Sequence, residues 1–139
     1  HEGKWCGMAY IVRYKELAYL FYFAISSELR GKGLGTLAMK AMIEKYRNNK
    51  FFLALEDWRE EAENMEQRIK RHNFYKNCGL DDLPYHIKEA SVIYSIMGIN
   101  GKVEPEEYKA LMNQYMGFFM RHLVDVRIIV NLPNQHNRM

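Results

Sequence analysis

Residues 30–35, Arg-Gly-Lys-Gly-Leu-Gly, place three glycines at alternate positions between an apolar run and a helical pattern. Glycine loses more backbone entropy on folding than any other residue, so a cluster at a helix mouth calls for a physical reason. A strand, a glycine-rich turn and a helix N-terminus form an anion site by construction. Unpaired amides point outward, the helix dipole adds positive potential, and missing Cβ atoms let a phosphate approach. Arg30 and Lys32 add charge. The same residues also suit a tight strand-to-helix turn that holds no ligand. The GxxxxGK[ST] phosphate loop fails, because Lys32 is followed by Gly33 and no glycine precedes Gly31 at the required distance. The dinucleotide pattern GxGxxG matches at Gly31 and Gly33, with Glu56 near the place of the ribose-binding acid, but Thr36 takes the third glycine's position. A hairpin upstream is also the wrong start for a parallel strand-helix-strand unit.

The other chemistry-bearing residues are dispersed. The two cysteines, Cys6 and Cys78, lie far apart without CxxC spacing, which argues against a disulfide framework or zinc site and fits a reducing cytoplasm. Cys78 lacks a histidine at suggestive spacing and reads as a structural thiol rather than a nucleophile. The five histidines, His1, His72, His86, His122 and His136, are equally scattered, so no metal centre is expected. Glu28 reads as facing solvent. Twenty basic and seventeen acidic residues leave a charge of +3, too mild to indicate nucleic acid without a clustered patch. The most basic stretch, Arg68 to His72, reads as a solvated helix face. No apolar run approaches the ~18 residues of a membrane span, and no signal-peptide pattern opens the chain. The expectation is a soluble cytoplasmic protein with no membrane or nucleic-acid partner.

The elements that must position these residues follow from periodicity. At 139 residues, 48% hydrophobic and 27% charged, the chain suits one globular domain spanning 1–139. Residues 5–14 and 17–25 read as two strands joined by Lys15-Glu16 in a hairpin, the second apolar on both faces like a covered central strand. From Gly33 the period becomes helical, with Leu34, Leu37, Ala38, Ala41, Met42 and Lys45-Tyr46 as the buried stripe and Asn48-Asn49 as the stop. Residues 51–56 give a short buried strand. Residues 60–77 give a charged helix with Ala62, Met65, Ile69 and His72 as its narrow stripe, closed by Gly79 in the left-handed position. Residues 85–99 hold one or two strands, and Pro105 opens a helix running to about Met120. Residues 124–130 read as a last strand, and the tail after Pro133 as frayed. The aromatics Trp5, Tyr10, Tyr19, Phe21, Tyr22, Phe23 and Trp58 are assigned mostly to the core, with some lining an acceptor pocket.

Within this frame the glycine segment resembles the Q/R-x-x-G-x-G/A pyrophosphate loop of the GNAT superfamily of acyl-CoA N-acyltransferases, at Arg30, Gly33 and Gly35, after a strand ending Phe23-Ala24-Ile25-Ser26. Residues 68–80 are similar to that family's helix ending in a tyrosine, a polar step and a Gly-hydrophobic pair, here Tyr75 and Gly79-Leu80. The resemblance covers about residues 5–100, with a less typical helix and strand in 101–139. It departs from the pattern where Arg68 replaces an asparagine about two turns before the tyrosine. It also departs at the start, since family members open with a strand and two helices, whereas this chain begins at His1-Glu2-Gly3 beside the hairpin.

The resemblance implies an α/β fold with a mixed, mostly antiparallel sheet, a splayed central strand pair and flanking helices, lacking the N-terminal strand and helices. It implies acetyl-CoA as cosubstrate, no metal, an amine acceptor on a small molecule or protein, and a monomer or homodimer. Ala24 and Ile25 would meet the pantetheine arm, and a backbone N–H near Ala24 would stabilise the carbonyl oxygen. Arg30, Gly31, Lys32, Gly33, Leu34, Gly35 and Thr36 would hold the pyrophosphate. Tyr75 would protonate the leaving thiolate and Glu56 would serve as general base. A carboxylate at a strand end is equally at home as a plain surface group. The alternative function is a non-catalytic acetyl-CoA sensor or a domain that assists a partner.

Overall fold

In a computed structural model, residues 1–59, 61–123 and 126–130 are described. Strands β1 (Gly7–Tyr14) and β2 (Leu17–Ile25) form an antiparallel hairpin whose turn holds Lys15 at φ 51°. The Lys-Glu link takes a left-handed turn without the Asn-Gly pair that usually marks one. Helix α1 (Leu34–Lys45) leads to β3 (Lys50–Glu56), and α2 (Met65–Asn77) leads to the hairpin of β4 (Asp81–Glu89) and β5 (Val92–Ile99). Helix α3 (Pro105–Leu123) and β6 (Val126–Val130) follow. The six strands lie in the order β1-β2-β3-β5-β4-β6, with β2 and β3 parallel and every other pair antiparallel. This is the mixed, mostly antiparallel α/β architecture expected from the sequence.

The two faces of the sheet bury different sets of residues, as the two-residue period of a strand requires. On one face Ala18, Leu20, Phe51, Leu53, Leu55 and Met97 pack beneath α1 and α2. On the other, Tyr19, Phe52, Tyr85, Ile87 and Ile96 pack against Tyr108, Leu111 and Met112 of α3. Each large side chain removed from water in this way stabilises the fold by about 1.5–3 kcal/mol relative to leaving it exposed. Pro105 occupies the first turn of α3, and Gly79 follows α2 at φ 102°, both as read from the sequence.

Several expectations are corrected. Residues 85–99 belong to two strands, the first starting earlier, at Asp81. The β4–β5 register breaks between Asp82 and His86, around Pro84, which has no N–H to give to a ladder. Helix α2 starts at Met65, five residues later than the charge pattern suggested. Its inward face is also not the apolar stripe: Met65 and Ile69 are exposed while His72 and Tyr75 are buried. Carboxylates at the ends of β3 and β4 receive that polar face, as described below. Along α1, Leu37 is exposed and the core side is Met39 with Met42, Ile43 and Tyr46. Met42 and Tyr46 of the expected stripe thus face the core, while Leu37 and Ala41 do not and Met39 and Ile43 take their place. Strand β2 is buried only over Leu17–Leu20, with Phe21 and Tyr22 exposed beyond it. Of the seven aromatics assigned mostly to the core, only Tyr19 is fully buried. The expected strand over 124–130 is present as β6, while 124–125 and the tail after Pro133 lie outside the described residues.

Candidate active site: a wedge between two parallel strands

Strands β2 and β3 pair only from Leu17 to Leu20 and from Lys50 to Leu53. Past that point each stays bonded to its outer neighbour. Phe23, Ala24 and Ile25 pair with Ala9, Met8 and Gly7 of β1, and Ala54, Leu55 and Glu56 pair with Ile96, Ser95 and Tyr94 of β5. The sheet therefore opens along its middle into a cleft of about 300 Å³. Phe21, Tyr22 and Phe23 form one lip, Leu55 and Glu56 the other, with Tyr94, Arg71 and Tyr75 around them. The inner lip of β2 has no strand partner, so its backbone donors and acceptors are available to an extended ligand carrying amides. Ser26 N donates to Cys6 O at 2.7 Å, toward β1. By the alternation of a strand, the Ala24 peptide groups face β1 as well, and those of Phe23 and Ile25 face the wedge.

A 3₁₀ turn, Ser27–Leu29, carries the chain from this lip to the glycine segment. Gly31 and Gly33 sit at φ 79° and 77°, which only glycine adopts without strain, and a Cβ on either would meet no atom within 4 Å. Gly33 caps α1 without a side-chain hydrogen bond, leaving the first-turn amides, which include those of Leu34, Gly35 and Thr36, pointing outward as an anion site. Gly35 has a further role: its Cβ would lie 3.4 Å from the Phe74 ring, so this glycine lets α1 pack close to α2. Arg30 Nε donates to Ile25 O at 3.2 Å and ties the loop to the strand end, while Lys32 is exposed.

Tyr75 and Glu56 both line the wedge. Tyr75 belongs to the cluster under α1 and α2, whereas Glu56 ends β3 and turns its carboxylate to Arg68 of α2. Burial raises the Tyr75 phenol above its ordinary pKa, with Arg71 opposing and Cys78 reinforcing that shift. Glu56 Oε2 accepts an ion pair from Arg68 at 2.5 Å. Arg68 also donates to Asn64 Oδ1 at 2.9 Å and to the Asp57 carbonyl at 3.2 Å. The arginine that replaces the expected asparagine thus binds the end of β3 to the start of α2. Its side chain is only 14% exposed and His72 is buried, so the solvated face expected of this stretch is confined to Ile69, Lys70 and Arg71.

Sequence reasoning missed four features. Arg71, one helical turn before Tyr75, was detectable from that spacing. Tyr94 reaches the wedge only because β5 pairs it with Glu56, and no local signal marks it. Asp57, buried behind the wedge, accepts from Arg59 Nε at 3.1 Å and Ser95 Oγ at 3.2 Å and pairs with His86 at 3.2 Å. Burial alone would raise the Asp57 pKa, but the Arg59 amide and guanidinium and His86 outweigh it and hold the carboxyl below its usual range. His72 pairs with Asp82 at 2.8 Å and stacks on Trp58. Cys6 and Cys78 are free thiols, and Glu28 is exposed. Among the described residues there is no cluster of metal-ligating side chains and no helix long and apolar enough to cross a membrane.

A model of the acetyltransferase (GNAT) family matches residues 1–80. Among solved structures, the chain is similar to a protein described as a GNAT-family acetyltransferase from Bacteroides thetaiotaomicron, with 21% identity and TM-score 0.61 over 83% of this chain and 66% of that one. It is similar to a Bacillus subtilis acetyltransferase in complex with CoA, with 12% identity and TM-score 0.56 over 73% of each chain. It also resembles the ribosomal-protein-S18-alanine N-acetyltransferase of Escherichia coli, with 18% identity and TM-score 0.56 over 76% of this chain and 68% of that one. At these identities the likeness is one of fold. No curated protein matches the sequence.

Proposed function

The chain belongs to the GNAT acetyltransferase family, and from that premise we propose that it transfers an acetyl group from acetyl-CoA to a primary amine in a ternary complex. The observation that carries this reading is the wedge itself, where an unpaired strand lip, a buried tyrosine and a carboxylate meet, and the glycine loop follows the end of that lip after one short turn. The inner lip near Ala24 and Ile25 binds the pantetheine amides as an added strand. The amides from Gly31 to Thr36, with Arg30 and Lys32, hold the pyrophosphate. A wedge-facing amide of that lip donates to the thioester carbonyl oxygen as it gains charge. Glu56 accepts the proton of the attacking amine, directly or through water. The amine nitrogen bonds to the carbonyl carbon, the carbon–sulfur bond breaks, and Tyr75 gives its proton to the departing thiolate. The raised phenol pKa keeps that proton in place at neutral pH.

Thiol release from acetyl-CoA with a panel of amines tests the proposal. Release that depends on both the amine and acetyl-CoA is expected. Binding of acetyl-CoA without thiol release from any amine would replace the enzyme with a sensor or a partner-assisting domain.

A further inference from the structure

A second cleft, of about 140 Å³, opens on the α3 side of the sheet. Tyr10 and Val12 of β1 and Tyr19 and Phe21 of β2 form one side, and Leu111, Met112 and Tyr115 of α3 form the other. Among the described residues, no lining side chain is charged. The rings already form an edge-to-face series, with Tyr10–Phe21 centroids at 6.1 Å and Tyr19–Phe21 at 5.9 Å. Such a series gains from one further ring added in the same geometry. Phe21 borders both this cleft and the wedge, so the two sites meet at one side chain. The α3 wall also lies outside residues 1–80, the part that the family model matches.

Size and chemistry narrow the occupant. An apolar cavity of about 150 Å³ is known to hold benzene, and this cleft is of that volume. A charged stem would exchange its water for phenol hydroxyls alone, of which that of Tyr115 already donates to Arg13 O. The amine that attacks the thioester enters the wedge instead, beside Glu56, whose carboxylate is held by Arg68. We propose that the cleft lined by Tyr10, Tyr19, Phe21, Leu111, Met112 and Tyr115 is an acceptor subsite for a primary amine carried on an apolar group about the size of a benzene ring. The assignment of the amine to the wedge rests on the acetyl-transfer reading, whereas binding of the ring does not.

The test uses the full-length protein and 2-phenylethylamine as probe, with ethylamine as control, read by titration calorimetry without acetyl-CoA. 2-Phenylethylamine should bind at least tenfold more tightly than ethylamine. Met112→Trp, which fills the cleft, should weaken it at least tenfold while leaving the melting-temperature rise with CoA unchanged. Tyr115→Ala, at a half-exposed position whose hydroxyl donates to Arg13 O, should weaken it several-fold and serves if Met112→Trp does not fold, provided its own thermal melt shows a folded chain. Equal binding of the two amines, or wild-type affinity in a folded variant, would overturn the subsite. Ring binding without thiol release would instead count against the acetyl-transfer reading and leave the subsite standing.

Discussion

In the proposed reaction Tyr75 acts only when the sulfur leaves, so its hydroxyl would contribute to the transition state and not to binding. Tyr75→Phe keeps the ring in its cluster and should lower kcat by about 10²–10⁴, the usual worth of a general acid. Acetyl-CoA Kd should stay within a few-fold, as steady-state kinetics and titration with an accepted amine would check. An unchanged kcat in a folded variant limited by chemistry would remove Tyr75 from the mechanism. Asp57 supports a different prediction, because its carboxyl is held below the usual range. A depressed folded pKa gives stability that is present above the unfolded value, about 3.9 for Asp, and is lost as pH falls through the folded value. Asp57→Asn should therefore lower the neutral-pH melting temperature, with a loss of about 1–3 kcal/mol from disturbing buried partners. It should also flatten the fall in stability on acidification. A melting temperature that falls with pH as steeply as in the wild type would show that Asp57 is not the group responsible.

At the scale of elements, the two glycines of the α1 N-terminus separate into different jobs. Gly33 needs its left-handed φ but has open space around it, so Gly33→Ala adds backbone strain of about 1–2 kcal/mol rather than a clash. Acetyl-CoA binding should weaken along with a modest drop in melting temperature, since the strained cap tilts the amides. Gly35→Ala places its methyl in ordinary contact with Phe74 and should be tolerated. Gly35→Val has no such room and should push α1 away from α2, lowering the melting temperature most of the three. Thermal melts and CoA titrations of the three variants would check this order. Loss of CoA binding in Gly35→Val at unchanged stability would mean that the phosphates, not Phe74, occupy that space.

For the whole molecule, a ligand that binds only the folded chain stabilises it by mass action, about 2.7 kcal/mol at a hundred times its Kd. Acetyl-CoA or CoA should raise the melting temperature by several degrees. NADH and ATP should do so far less, because the third position of the dinucleotide pattern is Thr36 and the wedge is shaped by an antiparallel hairpin. Equal stabilisation by NADH would return the glycine segment to the dinucleotide reading.

Much of this was determined by the sequence alone, wherever the controlling physics is local. The glycines at 31 and 33 announce a turn, Pro105 and Gly79 mark helix ends, and the apolar run of β3 announces a buried strand. The loop and Tyr75 were legible because each depends on a few neighbouring residues. Tertiary structure decided the rest, because it depends on which chains of hydrogen bonds each strand keeps. The wedge exists because β2 follows β1 and β3 follows β5 past Leu20 and Leu53, which no periodicity encodes. The same is true of the inward face of α2. Its apolar residues Met65 and Ile69 read as buried along with His72, yet it is Arg68 that turns inward beside His72, since Glu56 and Asp82 arrive from distant strands to pair with them. A charge can be buried only when its partner is brought to it, and only the folded sheet supplies that partner.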